Sequence, residues 1–354
     1  MQYYLIEFDK RVEQGLIRKV EQDDLILYNY TDKCTYDKAW DDYTRVSRGI
    51  IFTKNGVLVA KPFAKFFNLG EMPESCLANL PSGQYSVSEK VDGSLGIVYF
   101  YKGEWHVATR GSLSSVQAVK AREILTKYNV KQMNKNFTYL VEIVYPENKV
   151  VVNYGEEEKL VLLGMVNTTT EVENLDVMNE ANILGMPYAK RYYRTIEQMI
   201  ELQKSLPKDE EGFVVRFSNG LRVKIKGHEY LRIHKMISTM SPLSFWESME
   251  NGTVAKHYLE QLPEEYRNDF EPIVAELERQ YKRVISEIDQ DGHPLKDLDM
   301  SLTENKKAVG LLVQGKNNLL HPHAMFSLLL KNEAALDKYV MKTIRPDSNA
   351  MRSL

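Results

Sequence analysis

The sequence is poor in the features that mark secreted, membrane-spanning and zinc-binding proteins. Only Cys34 and Cys76 occur among 354 residues, so a disulfide framework is excluded and there is no C-x-x-C zinc pair. Two reduced intracellular thiols are the simplest interpretation. No apolar run approaches the about 18 residues of a membrane span, and the N-terminal segment MQYYLIEFDKRVEQG is too charged for a signal peptide. These features predict a cytoplasmic protein.

The charge balance excludes binding of a polyanion by overall charge alone. Lys and Arg number 46 against 49 Asp and Glu, giving a formal net charge of −3, so the whole chain carries no positive excess. A local basic groove is still compatible with this average. The 43% hydrophobic and 27% charged residues are typical of a globular protein. The length predicts two domains, each able to bury its own core.

The first two thirds of the sequence predict antiparallel strands with helices between them. Turn signals at Asn55-Gly56, Lys102-Gly103 and Asn219-Gly220 each separate two runs of β-forming residues, as in hairpins. Paired strands with helices laid against them predict an α+β fold for residues 1–238 rather than a doubly wound parallel sheet. We further predict strands over 139–145, 149–154 and 159–167, and helices over roughly 114–128, 174–184 and 195–205.

Residues 239–354 predict an all-helical domain. Pro272 suits the first turn of a helix, and Ser301 and Glu304 have the spacing of a capping box before another. His321 and His323 show no third partner for a metal, so we interpret them as the entry to a helix over 323–342. Apolar residues that share one helix face follow Pro272 at Ile273, Leu277, Tyr281, Val284 and Ile288.

The segment SEKVDGSLGIVYF, residues 88–100, places a lysine before a tight turn and a strand. Lys90 is either an exposed charge on a hairpin or a nucleophile at the mouth of a pocket, and this pattern alone does not separate the two. Gly93 lets the backbone turn tightly before the strand. Asp92 either accepts hydrogen bonds in the turn and holds Lys90 in place, or orients a cation.

Further charged residues accompany this lysine downstream. Glu142 lies inside the apolar segment LVEIVYP; charged side chains are rarely buried unless paired, but a strand residue on a solvated face has the same pattern. Glu211 directly precedes Gly212 and a strand. Lys224 and Lys226 are two residues apart in a predicted strand, which puts both on one face, either at a site or on a solvated edge.

Two basic residues lie upstream of the lysine motif. Arg48 precedes a strand in SRGIIF, and Lys65 lies in AKFFNLGE between the first hairpin and the lysine motif. Neither is distinctive alone. Phe66 and Phe67 beside Lys65 favour a core position over a surface for stacking bases.

Together, the motifs resemble a known superfamily. Lys-x-Asp-Gly at 90–93, a strand glutamate at 142, Glu-Gly at 211–212 and Lys-x-Lys at 224–226 are similar in order to those of the covalent nucleotidyltransferases, which include DNA ligases, RNA ligases and mRNA capping enzymes. The pattern most resembles the bacteriophage RNA ligase 1 family, which repairs nicked tRNA. The matching segments, over roughly residues 45–230, are RGIIF, KFFNLGE, EKVDGSL, TRGS, VEIVYPENKVVVNY, EGFVVRF and VKIK.

The chain departs from the family pattern in two places. Arg110 stands where a lysine is more usual, and the C-terminal region resembles the family only in being helical. The resemblance implies an N-terminal adenylyltransferase domain, residues 1–238, and a helical domain with a role in RNA specificity. It also implies a monomer that acts in the cytoplasm, or in the host cytoplasm if a phage encodes it.

The resemblance implies ATP-dependent joining of RNA ends in three steps. A lysine attacks the α-phosphorus of ATP and forms lysyl-AMP; AMP passes to an RNA 5′-phosphate; a 3′-hydroxyl then displaces AMP. The first step needs a neutral amine, whereas a free lysine with a pKa near 10.4 is only about one part in a thousand deprotonated at neutral pH. Nearby cations favour the neutral form, and Arg48, Lys65, Lys224 and Lys226 are the candidates.

The resemblance also implies a role for each site residue. Lys90 is the nucleophile, and Lys224 and Lys226 contact the α-phosphate and orient the leaving pyrophosphate. Glu142 accepts a hydrogen bond from the ribose hydroxyls, and Arg110 lies near the ribose or a phosphate.

A divalent ion is part of the same implication. Glu211 holds a hydrated Mg²⁺ or Mn²⁺ ion near Lys90, and such hard ions keep several waters. Val144 and Val214 are expected beside the adenine.

Two alternatives remain open at this stage. A DNA ligase or a capping guanylyltransferase shares the motifs, but a β-rich domain usually follows Lys-x-Lys in those enzymes, and here a helical pattern follows. A catalytically silent RNA-binding module would have the same fold. The presence of every charged residue that the chemistry requires favours the enzyme.

Overall fold

The computed structural model describes residues 4–250, 264–315 and 319–348. The chain divides into two compact units, Met1–His234 and Lys235–Leu354. The strands of the described residues all lie in the first unit, and the described part of the second is helical. The predicted α+β class is therefore confirmed. The assignment of residues 1–238 and 239–354 to two functional domains stays a prediction.

The strands form three sheets. Their bounds are β1 (Ile17–Gln22), β2 (Leu25–Tyr30), β3 (Arg48–Thr53), β4 (Leu58–Ala60), β5 (Phe67–Asn68), β6 (Tyr85–Glu89), β7 (Ser94–Tyr101), β8 (Glu104–Thr109), β9 (Phe137–Val144), β10 (Lys159–Asn167), β11 (Glu173–Asn174), β12 (Arg191–Tyr192), β13 (Gly212–Phe217) and β14 (Arg222–Lys226). The first sheet has the order β1-β2-β3-β4, the second β11-β10-β9-β7-β8 and the third β12-β6-β13-β14-β5. All pairs are antiparallel except β14 with β5.

Helices lie between the strands in the chain and make up the described part of the second unit. Their bounds are α1 (Leu5–Glu13), α2 (Asp32–Tyr36), α3 (Asp42–Val46), α4 (Val116–Leu125), α5 (Val177–Leu184), α6 (Ile196–Leu202), α7 (His228–Thr239), α8 (Pro242–Glu250), α9 (Glu264–Gly292), α10 (Thr303–Gly315), α11 (Met325–Leu329) and α12 (Glu333–Thr343). The predicted helices over 114–128, 174–184 and 195–205 correspond to α4, α5 and α6, each shorter than expected.

The second sheet lies at the centre of the first unit. On one face its buried residues pack with the helices α4 and α5, as Leu162 does with Ile124 and Leu184. On the other face they pack with the first sheet, as Ile97 does with Leu27. Burial of both faces accounts for the continuous apolar runs of β9 and β10, which show little polar alternation.

The predicted hairpins are present. The turns at Asn55-Gly56, Lys102-Gly103 and Asn219-Gly220 join β3 to β4, β7 to β8 and β13 to β14. In each turn the glycine has a positive φ, of 84°, 94° and 88°. Glycine adopts this conformation without the steric cost that a side chain brings, so the local sequence decides these turns.

One predicted strand is wrong. Residues 149–154 form a loop, and the strand after β9 is β10, which pairs with it antiparallel. The backbone N–H groups of Val151 and Val152 both donate to the carboxylate of Asp92 at 2.8 Å. These donors are therefore not available to pair with another strand, which is why the three consecutive valines at 150–152 do not form a strand.

The helical unit differs from the prediction at three boundaries. Pro272 lies inside α9, which begins eight residues earlier at Glu264. Ser301 donates to Asp299 and does not cap α10, which begins at Thr303. The helix predicted over 323–342 is divided into α11 and α12.

Two further results concern the cysteines and the possibility of a membrane-spanning helix. Cys34 and Cys76 are both free thiols. Among the described residues, no helix combines the length and apolar character that crossing a bilayer requires.

Candidate active site

A cavity of about 660 Å³ opens between the second and third sheets. This volume lies within the range of small-molecule sites. Strand residues from both sheets line it, together with loop residues that follow the strands. The predicted site residues among its lining are Arg48, Lys90, Arg110, Glu142 and Lys224. Three further predicted residues do not line the cavity themselves. Glu211 contacts the lining residue Lys90, Lys226 contacts Glu211, and the charge of Lys65 lowers the pKa of the lining residue Lys224.

Glu211 joins two lysines at one end of the cavity. Its Oε2 lies 2.6 Å from Lys90 Nζ and its Oε1 lies 2.9 Å from Lys226 Nζ. The Glu211 side chain is 3% exposed, while both lysine side chains are about one fifth exposed. We call Lys90 and Lys226 the carboxylate-paired lysines. Because a carboxylate stabilises an ammonium group, Lys90 has to leave Glu211 before it can act as a neutral nucleophile.

Gly212 fixes the approach of Glu211 to these lysines. Its φ is 140°, and a Cβ at this position would lie 2.1 Å from the carbonyl oxygen of Ile225 on β14. Its own carbonyl accepts a hydrogen bond of 2.8 Å from the backbone N–H of Lys90. Only glycine allows β13 and β14 to come this close, and the bond to its carbonyl holds Lys90 beside them.

Asp92 anchors the loop that carries Lys90. Its Oδ2 accepts hydrogen bonds from the backbone of Val151 and Val152, and its Oδ1 accepts one of 2.9 Å from the hydroxyl of Tyr230. Burial and the nearby carboxylates Glu211 and Asp92 raise the pKa of Tyr230, which keeps the hydroxyl protonated as a donor. Asp92 is therefore bonded to three neutral donors, so of the two roles left open by the sequence, the structure favours positioning over cation binding.

The loop after Lys90 also passes very close to β9. Gly93 does not have a positive φ; instead, a Cβ there would lie 2.6 Å from the carbonyl oxygen of Ile143 and 3.1 Å from Cγ of Glu142. The expected reason for this glycine, a tight turn, is therefore replaced by close approach. The contact brings the lysine loop against the strand that carries Glu142.

Glu142 faces the cavity from β9. Burial raises its pKa to about 7, a rise that the positive charges of Lys90 and Arg48 oppose and that Glu211 reinforces. A carboxyl group with this pKa accepts hydrogen bonds from hydroxyl donors when ionised and donates one when protonated. Its position on the cavity wall suits contact with the hydroxyls of a sugar.

Aromatic rings hold three cations on another side of the site. Arg48 and Lys224 lie over the ring of Phe66, at 5.4 and 4.9 Å from its centroid. Lys65 Nζ lies 5.2, 5.3 and 5.4 Å from the ring centroids of Tyr30, Trp40 and Phe67. These distances are within the range of cation–π attraction. We call Arg48, Lys65 and Lys224 the ring-held cations.

The ring-held cations influence one another because little negative charge separates them. Burial, together with the positive charges of the neighbouring cations, lowers the pKa of Lys224 to about 7. Those cations are Lys65, Lys90, Arg48 and Lys226. Burial also lowers the pKa of Arg48. This concentration of positive charge in a partly desolvated site favours a polyanion such as a triphosphate.

The aromatic residues of this region were only partly expected. Phe67 is buried at 3% exposure, as predicted, but Phe66 lines the cavity and was wrongly assigned to the core. Tyr30 and Trp40 were missed, because they lie 35 and 25 residues before Lys65 and no local pattern connects them. Arg110 donates a 3.0 Å hydrogen bond to the hydroxyl of Tyr30, which links it to the same group.

A third set of charges crosses the cavity. Glu173 on β11 accepts two hydrogen bonds of 2.7 Å from Arg222 and one of 2.8 Å from Arg216. Burial raises the pKa of Glu173, but hydrogen bonds and charge from the two arginines outweigh it, and the net pKa is lowered. The ion pairs of Glu173 with Arg216 and Arg222 join the second sheet to the third. Arg216 and Arg222 form a cross-strand pair in the β13–β14 hairpin, a signal that sequence reasoning could have used.

The donor set fits a hydrated divalent ion better than an enclosed metal site. Among the described residues, no three His, Cys, Asp or Glu side chains are grouped so as to hold a metal ion. Mg²⁺ commonly uses one or two carboxylates together with waters and substrate phosphates. Glu211, and Glu142 on the cavity wall, fit that arrangement as carboxylate donors.

Only one of the two valines that were expected beside the adenine lines the cavity. Val214 lines the cavity. Val144 instead belongs to a small buried cluster with Val91, Val161 and Ala189, so its expected place beside a base is not what the structure shows.

Comparison with known proteins shows which family the chain resembles. The profile of the RNA ligase family, of the phage RNA ligase 1 type, matches residues 46–231, a range that includes every predicted site residue. An inferred RNA ligase of Thermovibrio ammonificans is 29% identical over 240 residues, 64% of this chain and 62% of that protein. An inferred bifunctional polynucleotide kinase/RNA ligase of Autographa californica nuclear polyhedrosis virus is 27% identical over 247 residues, 62% of this chain and 35% of that protein.

The chain thus spans less than two thirds of the length of these two relatives. Among solved structures, an archaeal ATP-dependent RNA ligase is 14% identical, covers 92% of this chain and 78% of its own, and has a TM-score of 0.47, which is too low to argue from. The match to the family profile covers more than half of the sequence and establishes the family without the solved structures. The chain belongs to the RNA ligase family of the phage RNA ligase 1 type.

Proposed function

We propose that this protein is an ATP-dependent RNA ligase that joins 5′-phosphate and 3′-hydroxyl RNA ends through lysyl-AMP and an RNA-adenylate, in the repair of RNA such as nicked tRNA. The observation that carries the proposal is the position of Lys90. Its amine lies at the wall of a nucleotide-sized cavity, 2.6 Å from a buried carboxylate, with Arg48, Glu142 and Lys224 lining the same cavity.

In the first step, the lone pair of the Lys90 amine forms a bond to the α-phosphorus of ATP. The bond from this phosphorus to the bridging oxygen breaks, and pyrophosphate leaves with that electron pair. Lys90 must first exchange its contact with Glu211 for the substrate. Lys226, the second partner of Glu211, keeps that carboxylate from being left unpaired during the exchange.

The ring-held cations stabilise the charge that develops during transfer. Negative charge spreads over the oxygens of the phosphoryl group, so positioned cations supply most of the stabilisation. Lys224 is well suited, because its pKa of about 7 lets an incoming polyanion draw a proton onto it. Arg48 and Lys65 add charge from the same side, and the site as a whole then discriminates in favour of triphosphates.

Glu142, Arg110 and the apolar wall position the nucleoside. Glu142 accepts a hydrogen bond from the ribose hydroxyls, Arg110 lies beside the ribose or a phosphate, and Val214 contacts the base. Mg²⁺ or Mn²⁺ would be held by Glu211, with Glu142 nearby, and when bound would neutralise phosphate charge.

The proposal includes expectations from the sequence that stay predictions. These are action as a monomer, location in the cytoplasm, and a contribution of the helical unit to the choice of RNA. Among the alternatives, a DNA ligase or a guanylyltransferase is disfavoured by membership of the RNA ligase family.

Labelling with radioactive nucleotide tests the proposal. The protein is incubated with α-labelled ATP or GTP and Mg²⁺, and then denatured on a gel. We expect label from ATP to stay on the protein, to disappear in Lys90→Ala and Lys90→Arg, and to persist in Lys10→Ala, which changes an exposed lysine. Lys90→Arg keeps the positive charge, so its failure identifies a nucleophile rather than an electrostatic contact.

Other outcomes would redirect the assignment. Label only from GTP would indicate capping, and label from neither nucleotide would indicate a silent module. Label retained in Lys90→Ala would show that Lys90 is not the nucleophile. Sealing of a 5′-phosphorylated single-stranded RNA, compared with nicked duplex DNA, then identifies the substrate class.

A further inference from the structure

A second groove lies beside the cavity, at the edge of the third sheet. It has a volume of about 430 Å³ and shares Ser86, Val87 and Arg191 with the lining of the cavity. Its other lining residues come from the start of β6, from β12, from the segment that follows β12 and from α6. They are Tyr85, Tyr192, Tyr193, Arg194, Thr195 and Gln198.

The sequence of this edge alternates basic and aromatic residues. Residues 190–194 read Lys-Arg-Tyr-Tyr-Arg, and of these only Arg191 also lines the nucleotide cavity. Tyr193 is 95% exposed and Tyr85 is 37% exposed. A single exposed tyrosine is ordinary, but exposed rings interleaved with cations are typical of surfaces that bind single-stranded nucleic acid.

The charges of the groove favour an anionic ligand. Among the described residues, no Asp or Glu lines it, whereas Arg191 and Arg194 do. Arg191 donates to the backbone carbonyl of Leu175 at 3.2 Å, a contact that leaves its positive charge uncompensated. The acids nearest in the chain are Glu89, whose carboxylate accepts from the backbone of Lys190 at 3.4 Å, and the exposed Glu197.

The groove leads toward the reacting amine. Strand β6 runs from Tyr85 to Glu89, and Lys90 is the next residue. At about 3.3 Å per residue, Val87 lies roughly 10 Å and Tyr85 roughly 17 Å from Lys90 along the chain. This is the distance over which a few nucleotides extend from an end that is placed at the cavity.

We propose that this groove is the docking surface for the single-stranded RNA that the enzyme seals. Arg191 and Arg194 contact phosphates of the strand, and a base stacks on Tyr193. The stacking is tolerant of sequence, since every base offers a flat face. The inference rests on the proposed function, because the RNA is the strand whose end enters the cavity.

Equilibrium binding tests the groove. Fluorescence anisotropy is measured with the full chain and a labelled single-stranded RNA of about 12 nucleotides, within the range that such surfaces cover, without ATP. We expect Tyr193→Ala to weaken binding at least about fivefold and Tyr193→Phe to preserve it. We expect Arg194→Ala to weaken binding and to reduce the slope of log K against log salt by about 0.7, as for one lost phosphate contact.

Matched controls separate these residues from other exposed ones. Tyr36→Ala removes a ring that is 85% exposed elsewhere in the first unit, and Arg18→Ala removes an exposed arginine on β1. Both should bind RNA as the wild type does. Neither Tyr193 nor Arg194 lines the cavity, so labelling from ATP should be unchanged in the groove variants, which also shows that they fold.

The outcomes distinguish this inference from the function on which it rests. Absence of ATP labelling in the wild type contradicts the proposed function, while the RNA titrations still report on the groove. If Tyr193→Ala and Arg194→Ala both bind RNA as tightly as the wild type does, the groove is not an RNA docking surface. This holds even if the same variants lose binding to a protein. Equal weakening in Tyr193→Phe and Tyr193→Ala overturns base stacking.

Discussion

The carboxylate-paired lysines and the ring-held cations solve the same problem, holding positive charge inside a protein, in opposite ways. Lys90 and Lys226 share the carboxylate of Glu211, which neutralises part of their charge. Lys65, Arg48 and Lys224 rest on aromatic rings, which attract a cation without neutralising it. Under the proposed function, the first arrangement stores a nucleophile until substrate displaces its partner, and the second presents charge directly to the substrate.

This difference also predicts how each group affects folding. Removing a salt-bridged lysine leaves a buried carboxylate without a partner and destabilises the folded state. A desolvated lysine among other cations destabilises the folded state while it is present, so removing it stabilises the protein. Variants of the carboxylate-paired lysines and variants of the ring-held cations should therefore change the free energy of unfolding in opposite directions.

The largest expected effect comes from removing charge on each side in turn. We expect Lys224→Met to slow labelling from ATP by about 100- to 1000-fold, as loss of a positioned charge does. It should also raise the free energy of unfolding at pH 7 by roughly 2–5 kcal/mol, because the pKa of Lys224 falls from 10.5 to about 7 on folding and each unit of depression costs about 1.4 kcal/mol. Lys226→Met should instead lower the free energy of unfolding by about 1 kcal/mol, because Glu211 loses a partner.

Urea denaturation of both variants measures this contrast. The pKa of Lys224 is lower in the folded state than in the unfolded chain, so wild-type stability relative to Lys224→Met should rise as pH increases from about 7 toward 10. Shifts of the same sign in Lys224→Met and Lys226→Met would show that the two groups are not energetically distinct.

A smaller effect is expected from the rings themselves. Trp40→Leu removes one of the rings around Lys65 and should slow labelling by roughly 3- to 30-fold, the range that cation–π attraction supports. Trp40→Phe retains a ring and should be close to the wild type. Labelling rates at saturating and limiting ATP would show whether the loss lies in binding or in transfer, and equal rates in Trp40→Leu and wild type would argue that the rings do not position Lys65.

The smallest expected effect concerns Glu142. Its pKa is about 7 in the folded protein and near 4.3 in an unfolded chain, so the folded state holds a proton between these values. The stability that this provides is complete below about pH 4 and is lost as pH rises through 7. Relative to Glu142→Gln, the wild type should lose roughly 1–2 kcal/mol between pH 5 and 8, measured by thermal or urea unfolding. A flat difference across that range would contradict the role of burial.

The sequence predicted what local chemistry decides. The hairpins at Asn55-Gly56 and Asn219-Gly220 need only a turn with a left-handed residue, and the burial pattern of β14 alternates so that Lys224 and Lys226 lie on the side opposite Val223 and Ile225. Family resemblance placed the remaining charged residues in one site, which composition and periodicity alone did not do.

What the sequence did not predict depends on partners far away in the chain. The valine-rich segment 149–154 has strand propensity, but its backbone donors bind Asp92, about 60 residues earlier. Glu173 meets Arg216 and Arg222 more than 40 residues later. Pro272 has a strong local preference for a helix start, yet α9 extends before it, because packing of a long helix outweighs one lost hydrogen bond.

Gly212 has a consequence for how this site tolerates change. A Cβ at this position would meet the backbone of Ile225 and Lys226 on β14, so the close pairing of β13 with β14 depends on the absence of one atom. A single methyl group added at residue 212 would push the strand that follows Glu211 away from the strand that carries Lys226. The main chain would then disturb the ion pair between these two side chains, although neither of them had been changed.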